Sequence, residues 1–405
     1  MNSEIRVRLS VMMFIQFFVW GVWFVPLGTY LGTIHFTLTD IGNAYSTTSW
    51  GAIVAPFFIG MIADRFFPAE KVLAVLHLLG GLIMLYLTTV TTPGAFFVVA
   101  LAYAVCYMST LPLVNAISFH QMADPSKEFP SVRVLGTIGW IVAGLIVGFL
   151  KAEPTKLPLQ MAAVASFVMA AYSLMLPNTP PRSHGKKVTV SDILSLDALR
   201  LMKDWSFTVF VVSSLLICIP LAFYYNFTNN WLTSQEVGRA AALQSLGQMS
   251  EVVFMIIMPF FLLRLGVKKM LLIGMAAWAV RYFLFAYGNN SSMLWMWILG
   301  ILLHGICYDF FFVTGQLYVD KKAPEDVRAS AQGFIGLITY GVGMVIGSMA
   351  SGRIGDIFVV GVANDKTIYD WPKIWLVPGF TAVVITILFA VLFHENNKRE
   401  TASAG

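Results

Sequence analysis

The sequence predicts an all-α integral membrane protein whose twelve transmembrane helices form two six-helix bundles. Hydrophobic residues make up 58% of the 405 positions and charged residues only 12%, about half the charged share of a soluble domain. No single water-facing core can hide so much apolar surface. Apolar segments at least as long as the roughly 20 residues that cross a bilayer recur along the chain, from 9–31 to 374–393. A single long polar stretch between spans, 178–204, with Pro180, Pro181, Ser183, Gly185, Lys186 and Lys187, separates six of them from the other six.

In order, hydropathy places the spans at 8–31, 41–63, 70–90, 94–121, 128–150, 158–176, 206–232, 240–263, 268–287, 293–318, 328–352 and 373–393. The first follows Arg6 and Arg8 as a secretory signal would, but it is too long and lacks a small-residue cleavage site, so a retained span is expected. The organisation read from this pattern is an N-terminal bundle over 1–177, a cytoplasmic linker over 178–204, a C-terminal bundle over 205–395 and a cytoplasmic tail over 396–405. With both termini cytoplasmic, about 18 Lys and Arg fall on cytoplasmic segments and about six on the opposite loops, the positive-inside bias that sets orientation. The net charge of +5 therefore reflects topology, and nucleic acid is not expected as a partner. Cys106, Cys218 and Cys307 lie singly in apolar runs, without the paired spacing of a metal or redox site. Neither a metal nor a cofactor is expected.

The halves echo each other. Pro56-Phe57-Phe58 leads to Asp64-Arg65 and Lys71, and Pro259-Phe260-Phe261 leads to Arg264, Gly266, Lys268 and Lys269, at an offset of about half the chain. This is the mark of a duplicated six-span unit.

An ionised side chain at the bilayer centre costs about 3 kcal/mol on insertion scales, so such residues face a protein interior or a wet cavity and are functional candidates. Glu251 lies near the middle of the eighth span, with Gln248 one turn before it on the same face. Asp309 lies near the middle of the tenth, after His304 and Tyr308. In the fifth, Arg133, Thr137 and Trp140 project within roughly 60° of arc. Each has a structural rival reading. Arg133 can snorkel to the surface, Glu251 can serve a structural ion pair, Asp309 can face a neighbouring helix, and His304 can be a satisfied packing residue. Arg281 reads as an interhelical or interfacial anchor, and Gln16 and Asn115 as cavity lining or interhelical hydrogen bonds in equal measure. Trp20, Trp23, Tyr30, Tyr224 and Tyr225 can stack on a planar ring or serve the membrane interface. Gly343 and Gly347 are spaced for close helix packing.

A buried carboxyl group takes up or releases a proton as its surroundings change, which suits Glu251 and Asp309 to carry a coupling proton. No nucleotide-binding loop, metalloprotease helix or nucleophile elbow is present, so no catalytic residue is assigned and an ion gradient is the remaining energy source for uphill transport.

Gly60, Asp64 and Arg65 resemble the loop between spans two and three of the major facilitator superfamily, in which that element packs the half's helices and gates the cytoplasmic side. Over nearly the whole chain the sequence resembles the nucleoside:proton symporter family of that superfamily. The likeness rests on the stretches 129–140, 247–251, 308–311 and 328–333, with 220–225, His304-Gly305 and 318–324 resembling its YegT-like branch. The resemblance implies that Arg133, Thr137, Trp140, Gln248, Glu251, His304 and Tyr308 line a solute site, with Asp309 beside it. Ala222 and Tyr225 stand where well-known nucleoside permeases carry a Gln and an Asn, and His304 where they carry a phenol, which removes hydrogen bonds to a base or ribose. Tyr225 joins the expected site on this alignment. The expected function is proton-coupled nucleoside import by alternating access, in a monomer of the bacterial inner membrane. The alternatives are a sugar:proton symporter, a membrane solute receptor and a membrane-embedded enzyme.

Overall fold

The computed structural model describes residues 2–58, 67–181, 195–363 and 366–394. Gly60, Asp64, Arg65, most of the linker and the tail over 396–405 lie outside the described residues. The spans are α1 Ser3–Thr33, α2 Leu38–Phe58, α3 Ala69–Leu87, α4 Pro93–His120, α5 Pro125–Leu150, α6 Leu157–Ser173, α7 Trp205–Ser234, α8 over 240–265, α9 over 267–287, α10 Leu294–Lys322, α11 Glu325–Ile357 and α12 Trp371–Leu392. These twelve segments among the described residues match the hydropathy reading in number and order.

Local chemistry sets their ends. Asn2 caps α1 by accepting from Glu4 N at 3.3 Å, and Pro26 interrupts that helix because it offers no N–H to the turn before it. Where hydropathy predicts a loop between the eighth and ninth spans, the chain instead turns through Gly266 alone, at φ 72° and ψ 173°. Only glycine adopts that conformation without strain. The end of the linker also departs from a free tether. It forms a 3-10 helix, Leu196–Lys203, with Ala198 fully buried and Arg200 paired with Asp326 of the C-terminal half. Asp204 then caps α7 through Phe207 N at 2.9 Å and pairs with Lys322 at 2.8 Å. Partial burial pushes the Asp204 carboxyl up, but Lys322 and the Phe207 amide outweigh it and hold the group below the ordinary carboxylate range. Between α11 and α12, where hydropathy predicts no element, lies an antiparallel hairpin, β1 Val359–Ala363 with β2 Lys366–Tyr369.

Within the first half α1 packs on α5 and α6, α2 on α4, and α3 on α4 and α6; within the second, α7 packs on α11 and α12, and α9 on α12. Gly347 meets Cys218 O and the Ala222 Cβ of α7, the close packing its spacing predicts. The halves meet through α2 with α11, α5 with α8, and the end of α1 with α7. The tightest meetings lie toward the end of the molecule opposite the termini. There a Cβ on Gly42 would lie 2.3 Å from Ser348 O and one on Gly352 would lie 2.5 Å from Leu38 O, so α2 and α11 touch backbone to backbone.

Two carboxylates lock this face, and each belongs to the bundle opposite the helix it caps. Asp356, at the end of α11, accepts from Leu38 N and Thr39 N at 3.0 Å each. Glu153, just after α5 and 4% exposed, accepts from Ala241 N at 3.2 Å. Both satisfy orphan N–H groups at a helix N-terminus, where a negative charge is also favoured by the helix dipole. The second arrangement repeats the first with the halves exchanged, as a duplicated unit requires.

Candidate substrate site

Gln244, Gln248 and Glu251 follow one another along α8 at spacings of four and three, within roughly 60° of arc. This polar stripe faces α5. A cavity between α1, α5, α7 and α8 is lined by Phe24, Trp140, Tyr224, Tyr225, Gln244 and Gln248 among others. Of the residues expected from sequence, Trp140, Tyr225 and Gln248 thus share one cavity wall.

The others gather beside it. His304 stacks on Tyr224 with ring centroids 5.2 Å apart, meets Tyr225 edge-on at 6.3 Å and stacks on Tyr308 at 6.1 Å. Its Nε2 lies 3.7 Å from Glu251 Oε2, too far for a hydrogen bond. The Tyr308 hydroxyl accepts from that of Tyr340 at 3.0 Å. On the facing bundle, Arg133 lays its guanidinium 4.0 Å over the Phe17 ring. Arg133 is turned toward the protein, with Glu251, Tyr308 and Tyr107 in its electrostatic field, which disfavours the snorkelling reading. Among the described residues no carboxylate lies within the 4.0 Å of an ion pair with it. Thr137, half-buried, occupies the same helix one turn further on.

Asp309 is 0% exposed and neither of its carboxylate oxygens has a hydrogen-bond partner. It sits in a π-helical turn, Tyr308–Val313, of the kind that marks functional positions in helices. It stands behind Tyr308 and senses Glu251 electrostatically. Arg281 is also fully buried, so it is no interfacial anchor. Its Nε donates to Gly300 O at 2.9 Å and its guanidinium lies 4.2 Å over the Tyr224 ring. It ties α9 to α10 and supports, through Tyr224, the ring on which His304 rests.

For Gln16 the interhelical reading prevails. Fully buried, it donates to Thr110 Oγ1 at 2.7 Å and shares a 2.8 Å contact with His77 Nε2, while Tyr107 donates to its backbone carbonyl at 2.6 Å. Gln16→Leu leaves His77 and Thr110 without that partner, so thermal unfolding of the purified variant should show a loss of about 2–4 kcal/mol with little change in solute selectivity. Trp20 packs edge-on against Trp140 at 5.4 Å, and Trp23 against Tyr103 at 5.4 Å, so both serve packing behind the wall. Ala222 is fully buried against Gly347, and the adjoining wall is left to Tyr225. Gln244 is, with Phe24 and Ser245, among the lining residues that sequence reasoning missed. The signal was present, since it extends the face of Gln248 and Glu251 by one turn.

Comparison with known proteins supplies the family. A model of the Nucleoside H+ symporter family matches residues 3–398. The chain belongs to that family. This symporter is 41% identical to YegT, a transporter of Escherichia coli (strain K12), over 98% of this chain and 95% of that one. It is 35% identical to the xanthosine permease of the same organism, over 98% of both chains. The crystal structure of nucleoside transporter NupG superposes with a TM-score of 0.88 at 32% identity, covering 98% of this chain and 100% of that one. The symporter is therefore a helical, multi-pass membrane transporter of the major facilitator type, and not an enzyme, as the resemblance implied.

Proposed function

We propose that this symporter imports nucleosides with protons through the cavity between α1, α5, α7 and α8, and that its termini lie in the cytoplasm of a bacterial inner membrane. The observation that carries the site is the polar stripe of α8, whose Gln244 and Gln248 share an aromatic-walled cavity with Trp140 at the junction of the bundles, with Arg133 in the field of Glu251 beside it. Trp140 and Tyr225 offer ring faces to a base. Arg133, Thr137, Gln248, His304 and Tyr308 supply polar contacts, and Glu251 with Asp309 handles the proton. The excess of Lys and Arg on the side of the termini supports the orientation. On that orientation the locked face is the outer one, and the structure corresponds to a state closed to the outside. Bundles over 1–177 and 205–395, in a monomer, provide the two bodies that rock about the site.

The test is uptake of labelled uridine and inosine by proteoliposomes holding the purified protein, with and without an inward proton gradient. Accumulation that collapses with the gradient is expected. Absence of nucleoside uptake by folded protein, with gradient-driven uptake of a sugar instead, would overturn the reading.

A further inference from the structure

We propose that Gln244 is a specificity-determining contact, donating its amide N–H groups to an oxo group of the nucleobase. The inference deepens the nucleoside reading above and rests on it. Gln244 is 7% exposed and borders the cavity. Its side-chain carbonyl accepts from Asn229 Nδ2 at 2.8 Å, and Asn229 Oδ1 accepts in turn from the Thr29 hydroxyl at 2.6 Å. All three residues are buried, and the chain of bonds runs from α1 through α7 to α8.

In this arrangement of the chain the carbonyl end of the Gln244 amide is taken and its Nε2 end is left available. Asn229 is occupied at both of its ends, and it holds the Gln244 carbonyl toward α7. Among the described residues no acceptor takes the Gln244 Nε2 protons, and that nitrogen is not sealed away from the cavity. Once an occupant displaces water from this point, a donor left without an acceptor costs on the order of 1–3 kcal/mol, so an occupant that brings an acceptor here is favoured. A base carrying an amino group there would set donor against donor.

The rest of the cavity says which part of the solute lies here. Phe24, Trp140 and Tyr225 wall the same cavity, and aromatic faces suit a flat ring. Glu251 stands seven residues further along the stripe, about 10 Å along the helix axis, and a carboxylate accepts from hydroxyl groups. The spacing accommodates a nucleoside lengthwise, with its base at Gln244 and its ribose toward Glu251. Gln244 then supplies, from α8, an amide contact in a cavity where span seven presents Ala222 and Tyr225.

The experiment compares inosine with purine riboside, which lacks the 6-oxo group and the N1–H that accompanies it, by uptake into proteoliposomes under an inward proton gradient. Wild-type protein should favour inosine by about tenfold in kcat/KM, the worth of one hydrogen bond. Gln244→Glu keeps the acceptor for Asn229 Nδ2 and removes the donors, so the preference should fall to within about twofold, through loss of inosine transport and not gain of purine riboside. Gln244→Met, which keeps the volume and removes both functions, should do the same. A wild-type preference retained in either transporting variant overturns the proposal while uridine uptake leaves the nucleoside reading intact. A merely structural role would lower both substrates together and leave their ratio unchanged, which also overturns it. No nucleoside uptake by wild-type protein removes the underlying reading and this inference with it.

Discussion

Glu251→Gln should abolish proton-driven accumulation of nucleoside, leaving the internal concentration at or below the external one at any imposed gradient. Gln keeps the shape and the hydrogen-bonding reach of Glu and removes only the exchangeable charge, so loss of coupling can be separated from loss of the site. Glu251 sits at the junction of the two bundles, with its carboxyl 3.7 Å from His304 Nε2 and its charge facing Arg133. It is the carboxylate of the α8 stripe, one turn beyond the cavity-lining Gln248, at 17% side-chain exposure. Change in its protonation alters what Arg133 faces, and hence how the halves attract. The check is accumulation alongside counterflow of labelled uridine in the same vesicles. Uphill uptake retained by Glu251→Gln would rule out the coupling role. Asp309→Asn in the same assay tests the second carboxyl: exchange should persist without its pH dependence, because Asp309 lies behind the site.

The second large effect is expected at the face opposite the termini. Asp356→Ala removes both acceptors from the N-terminus of α2, where Leu38 N and Thr39 N each donate at 3.0 Å. Charge-assisted bonds of this kind contribute about 1.5–3 kcal/mol, and this pair is only partly buried, so a discounted net change of about 2 kcal/mol is expected. That shifts the equilibrium between closed and open forms of this face by roughly 30-fold. Spin labels on Thr91→Cys and Ser292→Cys, both exposed on the loops of this face in opposite bundles, report the separation. The distance distribution should gain a longer component in Asp356→Ala and a weaker one in Asp356→Asn, which keeps one acceptor. An unchanged distribution would show that backbone contacts such as Gly42 with Ser348 hold the face without the carboxylate. Tyr369 of β2 adjoins the same carboxylate, which gives the short hairpin a place in the lock.

Much of the site was legible in α5 and α8 because regular helices turn sequence spacing into direction. Arg133, Thr137 and Trp140, or Gln248 and Glu251, share a face by arithmetic alone. The same arithmetic weakened at Asp309, because the π-helical turn over Tyr308–Val313 changes the angle per residue. It was silent on Arg281, since a guanidinium near a helix end can reach the interface or the core, and only packing over Tyr224 chose the core.

By itself the sequence determined the membrane class, the twelve spans, the division into halves and the family, because these follow from apolar length, polar interruptions and motif spacing along one chain. Tertiary structure alone decided which polar groups meet. Asp356 and Leu38 are separated by 318 positions, and Thr29 and Asn229 by 200, and nothing local in either segment encodes its partner. Hydrogen bonds depend on position to within tenths of an ångström, so the lock on one face and the orientation of Gln244 appear only when the two bundles are brought together.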